Sequence, residues 1–397
     1  MNLKRLFGAI IVVLMTMTVP DRVKADTPTA DSLSVSLLTC SPHEHEVYAL
    51  YGHTAIRCHD WRKDFDWVFN YGVFNFRQPF FVMRFVLGMT DYELGVVPFD
   101  VFIGEYRRQH RGVVEQQLNL TRDEKLCLVA ALLDNCTPDN RVYRYNFFSE
   151  NCTSKARDII ERCINGRIVY CPDGDDSLSY RNLIHGYTLP EHRWAAFGND
   201  LCLGVKADFA TSQTQRQFLP ERLMADFAQA DILTPDGERR RLTEQTTTLL
   251  EPSPGAVAEE DCLVPMTVMI VLVLLCVIVA AVEYIYNKVY KWWDILLFTL
   301  TSVPGLIVVL LFLSEHPTTS TNLQALLLNP LPLLFVPWLV KGRSRMFWRM
   351  ELALSLAYIA GAFWQDYAEG MELLALCLLT RCWTHRQQIV PMSKKKQ

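Results

Sequence analysis

Three kinds of apolar pattern succeed one another along the chain. Behind Lys4 and Arg5 an apolar run extends from Leu6 to about Val19, followed by the small-residue site Val23-Lys24-Ala25. That is the layout of a signal peptide, expected to span residues 1–25 with cleavage after Ala25. Next come short runs of strand type. Val47 to Leu50 leads into Gly52-His53-Thr54-Ala55-Ile56-Arg57, and Trp67 to Phe74 forms a second aromatic and β-branched segment, so the two predict a hairpin. Helical spacing then takes over. Thr121 and Glu124 form a capping box for a helix through Leu133, with Leu126, Val129, Leu132 and Leu133 at helical intervals. Ala156, Ile159, Ile160, Cys163 and Ile164 mark one face of another helix.

The third pattern begins after a Pro-containing acidic linker, residues 251–262. Val264 to Tyr284 is long enough to cross roughly 30 Å of hydrocarbon. Apolar stretches follow at about 294–313, 322–340, 349–364 and 371–383, giving five expected spans. Basic residues support that count. Lys288 and Lys291, then Lys341, Arg343, Arg345 and Arg349, then Arg386 and Lys394 to Lys396 all fall on one side. The intervening loops 314–321 and 365–370 carry no Lys or Arg. The expected organisation is therefore an exported domain at 26–250, the linker, a membrane domain at 263–385 and a cytoplasmic basic tail at 386–397. The fold class is an α+β exported domain followed by an all-α polytopic membrane domain of about five helices. With half its 397 residues apolar, the chain can supply both a buried core and spans. A net charge of -4 without a long block of one sign gives no electrostatic case for nucleic acid.

The chemistry concentrates in Phe147-Phe148-Ser149-Glu150-Asn151-Cys152-Thr153-Ser154-Lys155-Ala156-Arg157-Asp158. Counting back one turn from Ala156 puts Cys152 on the inward face in the first helical turn, with Asn151 or Ser149 available as cap. Orphan N–H groups and the helix dipole favour thiolate there, and the thiolate is the nucleophile. His53 is the candidate base, on a strand whose alternation places His53, Ala55 and Arg57 on one face. Asn70 and Asp66 both lie where a third group would hold the imidazole, with Asn70 preferred. The exported part after residue 25 holds nine cysteines, an odd number that leaves at least one unpaired. Cys40, His43 and His45 suggest a metal site only weakly, since a fourth ligand is missing, so neither metal nor cofactor is expected. A buried structural cysteine and a buried structural histidine are the plain alternatives to a dyad.

Tyr51-Gly52-His53-Thr54-Ala55-Ile56-Arg57, Asn70-Tyr71-Gly72 and Phe147 to Cys152 with Arg157-Asp158 together resemble the Lnb family, the Bacteroides-type lipoprotein N-acyltransferases. The resemblance extends through Arg193-Trp194 and Phe197-Gly198 to His316-Pro317, Asn322-Leu323 and Asn329-Pro330. A histidine strand ahead of an Asn-Cys helix is also similar in order to permuted papain-like folds of NlpC/P60 or LRAT type. The resemblance implies acyl transfer from a phospholipid donor, through a thioester on Cys152, to the α-amine of a diacylated lipoprotein acceptor. It implies location in the bacterial inner membrane, with the N-terminal domain periplasmic. It also implies substrate contacts for Asn151, Tyr71, Arg157, His316, Asn322 and Asn329. The alternatives are a membrane-anchored cysteine peptidase or amidase acting on cell-wall peptides, and a non-catalytic envelope assembly protein.

Overall fold

The computed structural model describes residues 32–43, 49–74, 79–252, 263–342 and 344–389. The expected signal peptide, most of the linker, His45, Cys262, Arg343 and Lys394 to Lys396 lie outside them. The strands are β1 (Leu33–Cys40), β2 (His53–Asp60), β3 (Phe65–Val73), β4 (Asp91–Pro98), β5 (Val113–Leu118), β6 (Val142–Arg144), β7 (Arg167–Val169), β8 (Asp231–Leu233), β9 (Arg239–Arg241) and β10 (Thr243–Leu250). The main helices before the apolar region are α1 (Phe81–Val86), α2 (Phe99–Arg108), α3 (Arg122–Asn135), α4 (Cys152–Cys163), α5 (Tyr180–Thr188), α6 (Arg193–Cys202) and α7 (Pro220–Gln229). After it come α8 (Pro265–Tyr286), α9 (Lys291–Leu311), α10 (Leu331–Lys341), α11 (Arg345–Gly361) and α12 (Met371–Thr384).

Contacts divide the chain into two compact units that are not consecutive stretches. The first takes Met1–Phe76, Asp91–Asp173 and Gln217–Pro254, and the second takes Arg77–Thr90, Gly174–Arg216 and Gly255–Gln397. Two excursions of the N-terminal region, carrying α1 and α5 to α6, thus belong with the apolar helices.

The first unit is built on a seven-stranded antiparallel sheet of order β10-β5-β1-β2-β3-β4-β6. β7, β8 and β9 form a small second sheet. The predicted hairpin is present as β2 and β3, although Ala49 and Leu50 lie in a turn, so the strand starts only at His53. Period-2 alternation gives the large sheet two dry faces. Val35, Leu37, Ile56, Cys58 and Phe69 pack with Leu128 and Leu132 of α3, Ala156 and Ile160 of α4, and Leu223 and Phe227 of α7. On the other face Leu38, Cys40, Ala55, Val68 and Val113 cluster with Phe102 of α2. Arg57 on that face pairs with Asp66 at 2.7 Å and Glu115 at 3.2 Å, its guanidinium lying 3.4 Å from the centre of the Phe99 ring. The capping box of α3 forms as predicted, Thr121 N–H donating to Glu124 Oε2 at 2.7 Å.

Among the described residues of the second unit three stretches are long and apolar enough to cross a membrane: α8, α9 and Leu323–Lys341. The last opens as a short 3-10 turn (Leu323–Leu326) and resumes as α10. α11 and α12, with 17 and 14 residues, occupy the remaining two expected stretches but are shorter. One cluster of buried charges in this unit is paired internally. Arg381 donates to both Glu283 oxygens at 2.6 and 3.0 Å and to Asp294 at 2.7 Å, and His385 meets Asp294 at 2.9 Å. Pairing of this kind is what a charge buried among apolar helices requires.

One backbone position fixes where β2 begins. Gly52 has φ +79°, and an added Cβ would lie 2.7 Å from the Cys40 carbonyl oxygen, which belongs to the residue paired with His53. Gly52→Ala is expected to cost about 1–3 kcal/mol through the left-handed backbone alone. Thermal unfolding of the full-length protein in detergent should show a lowered midpoint relative to wild type.

Candidate active site

α4 starts where it does because Asn151 caps it from both sides. Its Oδ1 accepts from the N–H groups of Thr153 and Ser154, each at 2.9 Å. Its Nδ2 donates to the carbonyls of Phe147 at 3.0 Å and Phe218 at 2.8 Å. Ser154 Oγ accepts from the Asn151 N–H at 2.9 Å, completing a capping box. Cys152 is then the first residue of the helix, a free thiol at its positive end.

His53, first residue of β2, reaches Asn70 on β3, with Nε2 3.2 Å from Oδ1. A hydrogen bond to the Asn70 oxygen assigns the proton to Nε2 and leaves Nδ1 as the basic ring nitrogen. The imidazole also acts electrostatically on the Cys152 thiol. β3 accommodates this corner by an irregularity in its pairing with β4 between Asn70 and Val73. Gly72 lies within it at φ +96°, where an added Cβ would come 3.5 Å from the Cys152 Cβ.

Burial opposes charge on Cys152, but the positive charge and hydrogen bond of His53 outweigh it. The Thr54 N–H and the Thr153 hydroxyl add to the effect, and the thiol is lowered to about 7. Thr153 Oγ1 lies 3.8 Å from the sulfur and 3.1 Å from Thr54 Oγ1. This buried hydroxyl pair ties the histidine strand to the cysteine helix. Neither threonine carries a signal readable in sequence beyond adjacency to His53 and Cys152. Aromatic rings border the site. Tyr92 stacks on Tyr145 at 4.0 Å and on Phe74 at 4.9 Å. Burial pushes the Tyr92 and Tyr143 hydroxyls up, with the nearby Cys152 charge adding to it, so both stay protonated.

The structure brings Cys152, His53 and Asn70 together. Asp66, the other residue weighed as orienting group, is held by Arg57 instead. The residues assigned to substrate contacts are dispersed and mostly engaged. Asn151 is spent on the helix cap. Tyr71 is in the sheet core, its hydroxyl accepting from Asn135 at 2.8 Å. Arg157 meets Asp158 at 2.6 Å and Gln217 at 3.4 Å. Within the second unit, His316 meets the Phe85 carbonyl at 3.1 Å, and burial holds its imidazole below the ordinary range. Asn322 donates to the Leu201 carbonyl at 2.8 Å and accepts from Gln365 at 3.0 Å. Asn329 bonds the backbone of Leu326 and Leu331, closing the break ahead of α10. Among the described residues no group of three or more His, Cys, Asp or Glu is placed to hold a metal ion.

A thiol, an imidazole and a carboxamide aligned on an α+β domain, in a chain that continues into membrane helices, define a membrane protein with a cysteine-histidine site in its N-terminal domain. Residues 21–186 match the Lnb N-terminal periplasmic domain and residues 257–393 match the Lnb transmembrane domain. The chain belongs to the Lnb family. Neither the curated proteins nor the solved structures include a match to it.

Alkylation of Cys152 by iodoacetamide, read by peptide mass spectrometry on the full-length protein, is expected to rise with a midpoint near pH 7 and to fall away at lower pH as the thiolate is protonated. His53→Ala removes the main stabilisation and returns the thiol toward ordinary cysteine. The alkylation rate at pH 7 then falls on the order of tenfold. An unchanged midpoint would separate His53 from the thiol.

Proposed function

We propose that this protein is a thiol-dependent lipoprotein N-acyltransferase of the inner membrane. The observation that carries the reading is the Cys152-His53-Asn70 alignment in a chain whose two ends match the two Lnb domain models. His53 takes the thiol proton, and the Cys152 sulfur attacks the ester carbonyl of a phospholipid. The carbonyl C–O bond breaks, and the leaving lysophospholipid oxygen recovers the proton from His53. The thioester carbon is then attacked by the α-amine of a diacylglyceryl-cysteine terminus. His53 accepts the amine proton, the C–S bond breaks, and an amide and the free thiol result.

The cap narrows the choice of oxyanion donor. Asn151 consumes the N–H groups of Thr153 and Ser154, so the donor at this helix end is the N–H of Cys152 itself. Asn70 holds the imidazole in its working tautomer. Both substrates are lipids, and each buried CH₂ withdrawn from the bilayer costs about 0.8 kcal/mol. A helical membrane unit of five spans, with its N-terminal domain in the periplasm, lets the acyl chains remain in hydrocarbon during transfer. The order of histidine strand and cysteine helix agrees with a permuted papain-like arrangement.

The test is mass spectrometry of lipoprotein N-terminal peptides from cells lacking their own N-acyltransferase. These cells express wild type, Cys152→Ala or His53→Ala at matched levels. Triacylated termini are expected with wild type, none with Cys152→Ala, and at least a hundredfold fewer with His53→Ala, as general-base catalysis supplies about 10²–10⁴ in rate. Diacylated termini in every strain would overturn the assignment.

A further inference from the structure

The segment between β3 and β4 has a surface that neither the sheet nor the thiol site explains. Residues 79–90 read Pro-Phe-Phe-Val-Met-Arg-Phe-Val-Leu-Gly-Met-Thr, with Arg84 as the single charge. Although they fall within the match to the periplasmic domain, they belong to the same compact unit as the apolar helices. Four large side chains of the segment face outward: Phe80 is 81% exposed and Met83 53%, with Phe85 and Met89 also exposed. An apolar surface of this kind on a short segment marks an interaction site.

Where the segment is fastened identifies its occupant. The Leu87 carbonyl accepts from the Glu315 N–H at 2.9 Å, and the His316 ring meets both the carbonyl and the ring of Phe85. Gly88, at φ +71°, permits this approach, since an added Cβ would lie 3.1 Å from Glu315 Cβ. Glu315 and His316 follow the end of α9 at Leu311 by only four and five residues. At a rise of about 1.5 Å per residue, even a continued helix would travel less than ~8 Å over that distance. The segment is therefore anchored at the level where an apolar span leaves hydrocarbon. The exposed Leu313 lies between the two. A second outer element has the same relation to another span: Trp194 Nε1 of α6 donates at 2.7 Å to the carbonyl of Leu263, two residues before α8 begins. Aromatic side chains at such levels are characteristic of membrane interfaces.

We infer that residues 79–90 form a lipid-inserting wedge, with Phe80, Met83 and Phe85 immersed at the headgroup-acyl boundary of the periplasmic leaflet. The last turn of α1 is closed by the N–H groups of Leu87, Gly88 and Met89, and Arg84, folded back onto the Met89 carbonyl at 3.0 and 3.1 Å, carries its charge at the boundary. This inference rests on the membrane unit alone and is independent of the acyltransferase reading.

The test uses full-length protein in nanodiscs of phosphatidylethanolamine and phosphatidylglycerol, with a trace of a phosphatidylcholine that carries a diazirine on its acyl chain near the ester. After irradiation and digestion, adducts are located by mass spectrometry. They are expected on the peptide holding Phe80 to Met89 as well as on the exposed α8 residues Leu274 and Ile278, which serve as internal control. Phe80→Asp combined with Met83→Asp, at exposed positions, should abolish the segment's adducts and leave those of α8 unchanged. Labelling of α8 with none on residues 80–89 in wild type would overturn the inference. So would segment adducts that persist in the double variant, or heavy labelling of the segment by a water-soluble carbene probe in the same nanodiscs.

Discussion

One buried carboxamide holds the thiol site in register. Asn151 receives two N–H groups of α4 and gives two hydrogens to carbonyls from separate stretches of chain, before the helix at Phe147 and far beyond it at Phe218. The rings of these two residues meet at 5.5 Å and pack with Phe148 and Tyr51. A cap of this type typically contributes about 1 kcal/mol. Here it has a larger consequence, because all four hydrogen-bonding positions are filled inside an aromatic enclosure and any rotation would orphan several groups together. The direction of the Cys152 side chain follows from that constraint. Asn151 thus fixes the start of the helix that carries Cys152.

Against this fixed helix end the sheet presents its histidine. Gly52 lets the chain turn into β2 at His53, and the irregularity after Asn70 brings the neighbouring strand round so that its carboxamide meets the imidazole. The two elements lock through Thr54 and Thr153. Burial by itself would keep the sulfur protonated, as it does for Cys40, pushed up to about 12 on the paired strand. What separates the two cysteines is the company each keeps: an imidazole and an N–H donor for one, and mainly apolar surroundings for the other.

Several elements of this picture were legible from periodicity. The capping box of α3, the buried face of α4 and the β2-β3 hairpin follow from local patterns that report on nearest neighbours. The nearness of His53 to Cys152 was readable only as a hypothesis from residue type, because period 2 and period 3.6 reveal which face is buried and not which element covers it. The same limit hid the sheet order, in which β1 separates β2 from β5 and β10 joins the edge from far along the chain. Polar residues are harder to read for a physical reason. Asn322 has the appearance of a ligand in sequence, yet a buried carboxamide must find partners, and Leu201 and Gln365 supply them within the fold. The interleaved division of the chain leaves no local sequence signal, because residues 77–90 and 174–216 are flanked on both sides by elements of the other unit.

That interleaving sets an order of assembly. Residues 77–90 and 174–216 emerge from the ribosome before the helices that complete their unit have been synthesised. Until α8 and its successors enter the bilayer, these two tracts lack the contacts that will hold them, including those of Leu87 with Glu315 and Leu201 with Asn322. The helical unit therefore closes last, around pieces delivered early. A fragment ending near residue 250 would retain the whole seven-stranded sheet while leaving both tracts without their native support.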